Sequence, residues 1–508
     1  MNNVVEYLIE SSKRNRNKIA VIEEDKKITY GELLKYSKSV GTFIAKREVF
    51  NEPIIIFMDK GIDTLIAFFG TIFSGCFYTL INPTFPIARV NQIKEVINSK
   101  IVITNNENYE YAKECFDDLE IYNIEKMKSF KIDNKLLNEV LMNHIDYDPL
   151  YVNFTSGSTG VPKGVVICHR SVIDFIDKFT SIFGFNSRDI IANQAPFDFD
   201  VSVKDIFSSI KVGATLLIVP TRYFSNPSIL LDYLCDNKVT TMTWAVSALC
   251  LITTFHGLDY KVPEHVNKIL FSGEVMPLKH LNIWMSHLPK AMFVNVYGPT
   301  EITCNCTYHI IDRKRKYEDK IPIGKPFPNE RVILLDEKDN LINSESQVGE
   351  ICVIGTSLSL GYYNNQIQTD KSFVRNPNVK EYIEYIYRTG DLAYYNNKHE
   401  LVFNGRKDFQ IKYLGHRIEL EEIDKSIMEC DGVNRCATIF DSEKSKLYGF
   451  YIGNIDRKEL HIVLKKKLPV HMIPTKLIQL DSFPMTKNGK IDRKKLLLEG
   501  VRKWIIRR

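Results

Sequence analysis

The most concentrated chemistry in the chain lies between Tyr151 and Gly164, YVNFTSGSTGVPKG. An apolar, strand-like start runs into a turn that carries the hydroxyls of Thr155, Ser156, Ser158 and Thr159 around Gly157 and Gly160, and Lys163 follows. Glycines let backbone N–H groups approach an anion closely, the hydroxyls donate to it, and a lysine supplies a point charge. The stretch reads as a phosphate-binding loop. It is not a Walker A loop, because the G-x-x-x-x-G-K-[ST] spacing is absent.

The elements that must position this loop follow from the hydrophobic pattern. PIIIFM (53–58), KIVIT (100–104), TLLIVP (215–220), TTMTWAV (240–246), KILFSG (268–273) and AMFVNVYG (291–298) read as buried strands, with helix-length segments such as 277–288 between them. This alternation predicts layered α/β structure with largely parallel sheets. From about residue 321 the pattern changes to short strands and turns. RVILLDEKDN and VGEICVIG predict hairpins or a small barrel. Further on, DFQIKYLG alternates like a strand, IELEEIDKSIM sets Leu420, Ile423 and Ile427 at helical spacing, and DRKELHIVLKKKL reads as another helix. The expected architecture is α/β. A large N-terminal region, 1–407, would hold two layered α/β sheets and a small β-barrel-like part. A small α+β C-terminal domain, 408–508, would follow a joint near Gly405-Arg406-Lys407-Asp408.

Composition narrows the function. The 508 residues are 44% hydrophobic and 25% charged, with a formal net charge of +5. That excludes a disordered, collagen-like or disulfide-knot protein. The charge is too small, and tracts such as Lys465-Lys466-Lys467 too short, for a nucleic-acid binder. The ten cysteines include no Cys-x-x-Cys pair, and Cys304-Asn305-Cys306 is a weak hint of metal. Reduced, mostly buried thiols are expected, in a cytoplasmic protein. The start of the chain contains acids and no apolar core, so no secretory signal is expected. Residues 64–88 carry no charge and are long enough to cross a bilayer. Gly70, Gly75, Asn82-Pro83 and Pro86 interrupt them, so they predict a buried helix, a glycine turn and a short core strand, with no membrane insertion.

With TSGSTGVPKG as the lead, other motifs fall in order: ITYGEL (28–33), FDFDVS (197–202), NVYGPTE (295–301), GEICVIG (349–355), YRTGDL (387–392), GRKDFQIKYLGHRIELEEID (405–424), LPVHMIP (468–474) and NGKIDR (488–493). This series resembles the signatures of adenylate-forming enzymes over nearly the whole chain. The family includes acyl-CoA synthetases, luciferase-like enzymes and the amino-acid adenylation domains of nonribosomal peptide synthetases. The resemblance implies a reaction in two halves. A carboxylate attacks the α-phosphorus of ATP, and a thiol then displaces AMP to form a thioester. It also implies that the loop 155–163 holds the β- and γ-phosphates, that Thr300 faces the α-phosphate and that Glu301 helps hold Mg²⁺. Tyr297 would lie against the adenine, with Gly273, Glu274, Asn295 and Gly298 along the nucleotide pocket. Asp391 would bond the ribose hydroxyls and Arg406 the ribose or phosphates. Lys490 would neutralise charge at the reacting phosphorus, and Lys412, on the opposite face of a mobile C-terminal domain, would serve the thioester step.

The resemblance also bears on the acid. In the amino-acid branch an aspartate at the place of Asp200 pairs with the α-ammonium, as a buried carboxylate requires a cationic partner. The doubled Phe-Asp leaves Asp198 as the other register, and Asp200 is preferred because Ser202 and Phe207 then fall where the pattern wants them. The rest of the acid pocket carries over as Val201, Lys204, Thr243, Leu270, Ser272, Val296, Cys304 and Asn305. Lys204 either meets an acidic substrate side chain or pairs with Asp205 and points outward. The series is also similar to D-alanine–carrier protein ligases, but Ser272 and Lys204 depart from their pattern. No Gly-Gly-x-Ser carrier site follows Lys490, so the thiol is expected on a separate phosphopantetheinylated carrier protein or on CoA. The expected function is ATP-dependent amino acid–carrier protein ligation. An acyl-CoA ligase and a silent nucleotide-binding scaffold remain the alternatives.

Overall fold

The computed structural model describes residues 1–157, 160–318, 320–441, 444–485 and 491–500. Ser158, Thr159 and Lys490 lie outside the described residues. The chain divides into two units. The larger takes Met1–Pro83, Ile97–Asn153 and Gly164–Lys407; the smaller takes Thr84–Val96, Phe154–Lys163 and the chain from Asp408 onward.

Three sheets build the larger unit. The first runs in the order 120–123, 101–104, 53–57, 77–80, 149–155, 163–168, and its first five strands are parallel. The uncharged stretch forms its crossover as expected. Ile62–Phe73 is a helix with every residue but Asp63 buried, Gly75 turns at φ +75°, and Phe77–Leu80 is a fully buried strand. A helix apolar on all sides needs neighbours on all sides, and Phe68 stacks on Tyr78 at 4.0 Å to provide one. Among the described residues no helix is long and apolar enough to cross a membrane.

The second sheet has nine strands in the order 325–326, 307–310, 292–297, 268–272, 241–245, 190–193, 215–218, 19–23, 26–29. From 292–297 through 19–23 all pairs are parallel, and antiparallel strands close both edges. The central strands read as unbroken apolar runs because helices cover both faces of such a sheet. The third sheet is antiparallel and six-stranded. Its long strand Tyr385–Tyr395 pairs with 349–355, with 373–375 and with 401–406.

The smaller unit joins a hairpin, 410–413 with 416–419, to a three-stranded sheet of 433–441, 446–453 and 476–479. Leu414 and Gly415 both take positive φ in the hairpin turn, the geometry that matches strand twist. Helix Leu420–Met428 buries Leu420, Ile423 and Ile427 in a core with Leu447, Tyr451, Leu460 and Leu464. Its other side presents Glu422, 2% exposed, to Arg89, 6% exposed, and the two bond at 2.7 Å.

Removing one partner of a buried pair strands the other charge, at a cost of about 3–5 kcal/mol. Glu422→Ala and Arg89→Ala should each lower unfolding free energy by that amount in urea titrations. An apolar double variant, Arg89→Met with Glu422→Leu, should lose much less. Equal losses in all three would show that the pair is not the source.

Candidate active site

Tyr297 ends the parallel strand Met292–Tyr297, and Asp391 lies in Tyr385–Tyr395. The Tyr297 hydroxyl donates to Asp391 Oδ2 at 2.5 Å. Arg406, opposite Asp391 across neighbouring antiparallel strands, donates to the other carboxylate oxygen and, at 3.2 Å, to the Thr389 carbonyl. Burial, and after it the charge of Asp391, pushes the Tyr297 phenol well above its ordinary value. The ring therefore remains a neutral donor. These three residues, placed in one nucleotide pocket by sequence, are bonded to one another.

The turn after this strand is tightly folded. A Cβ on Gly298 would meet the Asn305 Cα at 2.6 Å, so only glycine fits. Thr303 and Cys304 both take left-handed backbone, at φ +53° and +78°. Glu301 is thereby sealed at 0% exposure, and the Tyr362 hydroxyl donates to its Oε1 at 2.7 Å. Thr300 is buried beside it. Asn295 spends its amide on the Pro322 carbonyl at 2.9 Å, which props the strand end. Gly273, at φ +95°, leaves open space where a side chain would stand, and half-buried Glu274 follows it. A single anchored carboxylate fits a magnesium ion, which takes few protein ligands and fills its shell with phosphate and water oxygens. Among the described residues no group of three His, Cys, Asp or Glu could hold a metal, so Cys304 and Cys306 form no metal centre there.

The phosphate loop belongs to the smaller unit. A Cβ on Gly157 would strike the Val161 carbonyl oxygen at 2.0 Å, and Gly160 takes φ +81°, so both glycines are required by the backbone. Several of the loop's described donors have partners within this unit. Gly157 N–H donates to Glu422 Oε2 at 3.1 Å. The Ser156 hydroxyl donates to the Arg417 carbonyl at 2.9 Å and accepts from Glu419 N–H at 3.2 Å. Lys163 stands 3.9 Å from Glu419. The Thr155 hydroxyl is buried without a hydrogen-bond partner. Glu422 thus occupies the Gly157 N–H. Lys412 lies half-buried in the strand Gln410–Tyr413.

The acid pocket rests on three neighbouring parallel strands. Thr243 pairs with Leu270 and Leu270 with Val294, so Thr243, Leu270, Ser272 and Val296 share one face. Leu270, Ser272, Val296, Cys304 and Asn305 are all buried. The helix Val201–Val212 begins after Asp200, and the Ser202 hydroxyl fixes that start by donating to the Phe199 carbonyl at 2.7 Å. Val201 and Asp200 are half-buried. Asp198 has the Lys60 ammonium as a cationic neighbour, and burial pushes it up to about 6. Lys204 does not point outward. It is fully buried, and its ammonium reaches Ser272 Oγ at 3.3 Å and Asn305 Oδ1 at 3.2 Å. Asp205 instead accepts from the Thr243 hydroxyl and from Asn193 at 3.0 Å.

Residues 8–363 match the family of AMP-binding enzymes. The chain belongs to this family. It is 31% identical over 504 residues to zwittermicin A synthase ZmaJ of Bacillus cereus, covering 97% of this chain and 94% of that protein. It is 32% identical over 506 residues to a D-alanine–D-alanyl carrier protein ligase of Bacillus cytotoxicus, covering 94% and 96%. Among solved structures it resembles the Vibrio cholerae adenylation domain AlmE in complex with glycyl-adenosine-5'-phosphate, at TM-score 0.87 and 20% identity over 98% of each chain. As an adenylate-forming enzyme, this AMP-binding protein uses ATP.

Several groups near these residues had no signal in the sequence of this AMP-binding enzyme. Tyr362 anchors Glu301 from a distant segment. Arg89 and Glu422 meet 333 positions apart. Tyr151 is fully buried, its hydroxyl has no hydrogen-bond partner among the described residues, and it feels the charge of Asp200. None of these pairings has a periodicity or spacing that would reveal it.

Burial pushes Asp205 up to about 7, against the bonds from Thr243 and Asn193. The native state therefore holds this proton to higher pH than the unfolded chain does. That contributes stability at low pH, which is lost as pH rises from about 4 to about 7. Asp205→Asn should flatten the fall in stability across that window, measured by urea unfolding at several pH values. An unchanged slope would place the titration elsewhere.

Proposed function

We propose that the chain activates an amino acid as its aminoacyl-adenylate and transfers it to the phosphopantetheine thiol of a separate carrier protein. In the first half an oxygen of the substrate carboxylate bonds to the α-phosphorus of ATP, and the bond to pyrophosphate breaks. In the second the thiol sulfur bonds to the acyl carbon, AMP leaves, and the thiol proton passes to water. Neither half needs a covalent enzyme nucleophile, so the protein's work is positioning and charge stabilisation.

The observation that carries the reading is the pocket head. Asp200 stands at the start of a helix whose first turn is pinned by Ser202. The alternative carboxylate, Asp198, already has Lys60 beside it. Asp200, at the head of this helix, is the carboxylate we assign to the α-ammonium of a substrate. The name of a similar carrier protein ligase, matched over 96% of its length, supports transfer to a carrier.

The remaining roles follow the same proposal. Tyr297, Asp391 and Arg406 hold the nucleoside, with Gly273, Glu274, Asn295, Gly298 and Thr300 around it. Thr155–Lys163 hold the outer phosphates, for which Glu422 must release Gly157. Glu301 would hold Mg²⁺, which supplies charge neutralisation for the phosphates. The domain 408–508 turns about Asp408 between the halves, bringing Lys490 to adenylation and Lys412 to thioester formation.

Asp200→Ala should remove the preference for an amine. In pyrophosphate exchange the unaltered protein should favour an amino acid strongly over its deaminated analogue, and the variant should lose that preference while its KM for ATP changes little. Equal use of both acids by the unaltered protein would contradict amino-acid activation. The two lysines should separate the halves. Lys490→Ala should cut adenylate formation by about 10²–10³, whereas Lys412→Ala should spare adenylation and lower transfer to a carrier thiol. Parallel loss of both steps in Lys412→Ala would refute the division of labour.

A further inference from the structure

Lys204 follows Asp200 by one helical turn, about 6 Å along the axis, on the helix Val201–Val212. It is 0% exposed. Among the described residues its ammonium donates to Ser272 Oγ and Asn305 Oδ1, at 3.3 and 3.2 Å. Both are neutral oxygens at the long end of hydrogen bonding. Among the described residues no carboxylate forms an ion pair with it. Asp205, the adjacent acid, has its two oxygens occupied by Thr243 and Asn193.

A buried ammonium is costly unless it meets a negative charge. Among the described residues no acid pairs with it directly; Asp205 is within reach of its charge, but burial pushes that carboxyl up to about 7, so an acid that bonds the ammonium would have to arrive with the substrate. The lysine is held in position, since Asn305 Oδ1 also accepts from the Cys304 thiol at 3.5 Å, and that segment is locked by left-handed residues at 303 and 304. Leu270 and Val296 supply apolar walls, and the ammonium's hydrogen-bond partners among the described residues are both neutral. A small neutral side chain, such as the methyl of alanine, would leave the ammonium as it stands. An apolar one would press against it and remove whatever water reaches it.

The geometry points to a substrate with two acids: an amino acid whose side-chain carboxylate pairs with Lys204 while its α-ammonium meets Asp200. This rests on the amino-acid activation proposed above and names its substrate class. Lys204 is then a specificity-determining residue, and Ser272 and Asn305 position its ammonium.

The test is pyrophosphate exchange by the intact protein with aspartate, glutamate, asparagine, glutamine, alanine and leucine, each in both enantiomers. One acidic amino acid should exceed its own amide in kcat/KM by about 10²-fold, the scale of an unmade buried ion pair. Lys204→Met should lower kcat/KM for that acid by about 10²–10³ and leave its amide within a few-fold, so that the ratio collapses. Preference of the unaltered protein for alanine or leucine, or equal use of acid and amide, would overturn the inference and leave amino-acid activation standing. Absence of exchange with every amino acid would overturn the activation reading itself. The unaltered protein's panel decides the matter even if Lys204→Met does not fold.

Discussion

The in-register pairing of the parallel strands 241–245, 268–272 and 292–297 is the constraint on which the large unit's site depends. Thr243, Leu270 and Val294 lie abreast, and side chains alternate faces along each strand. A slip of one residue in any strand would turn its pocket residue to the opposite face. The same strands feed their carboxyl ends into Gly273-Glu274 and the Gly298–Asn305 turn. Open parallel sheets place ligands at that edge. The residues assigned to the nucleotide and those assigned to the acid therefore share one sheet edge, and one register sets both.

Charge burial organises what stands on that edge. Asp391 is held between a tyrosine hydroxyl and a guanidinium, Asp205 between a threonine and an asparagine, and Glu301 by Tyr362. Glu422 in the smaller unit is held between Arg89 and the Gly157 N–H. Each buried acid has donors from protein, as burial demands. Lys204 differs because its partners are neutral. The loop around Gly157 also differs, because its Gly157 N–H and Ser156 hydroxyl are taken by protein groups.

Much of this was legible in the sequence. The strands at 53–57, 101–104, 215–218, 241–245, 268–272 and 292–297 announce themselves as apolar runs, since a parallel sheet covered on both faces leaves no polar period. The α/β architecture and the membership of the AMP-binding family followed from pattern and motif together. What stayed hidden depends on long-range geometry. The inward course of Lys204 is not legible in the sequence, because a lysine next to Asp205 reads more readily as a solvated pair. The contacts of Glu422 with Arg89 and Gly157 join segments that no local rule connects. The loop 154–163 reads as glycines and hydroxyls of phosphate-binding type, yet nothing in its residues indicated that the Gly157 N–H bonds to the helix Leu420–Met428 and the Ser156 hydroxyl to the hairpin before it.

The central claim is that the reacting acid is an amino acid and that ATP is cleaved between the α- and β-phosphates. Hydroxylamine trapping with mass spectrometry tests it most directly. The protein, ATP, Mg²⁺ and an equimolar mixture of amino acids, short fatty acids and aryl acids are incubated together, and products are counted. The account predicts an aminoacyl hydroxamate, with AMP and pyrophosphate formed one for one. A hydroxamate from a fatty or aryl acid alone, or release of ADP in place of AMP, would contradict it.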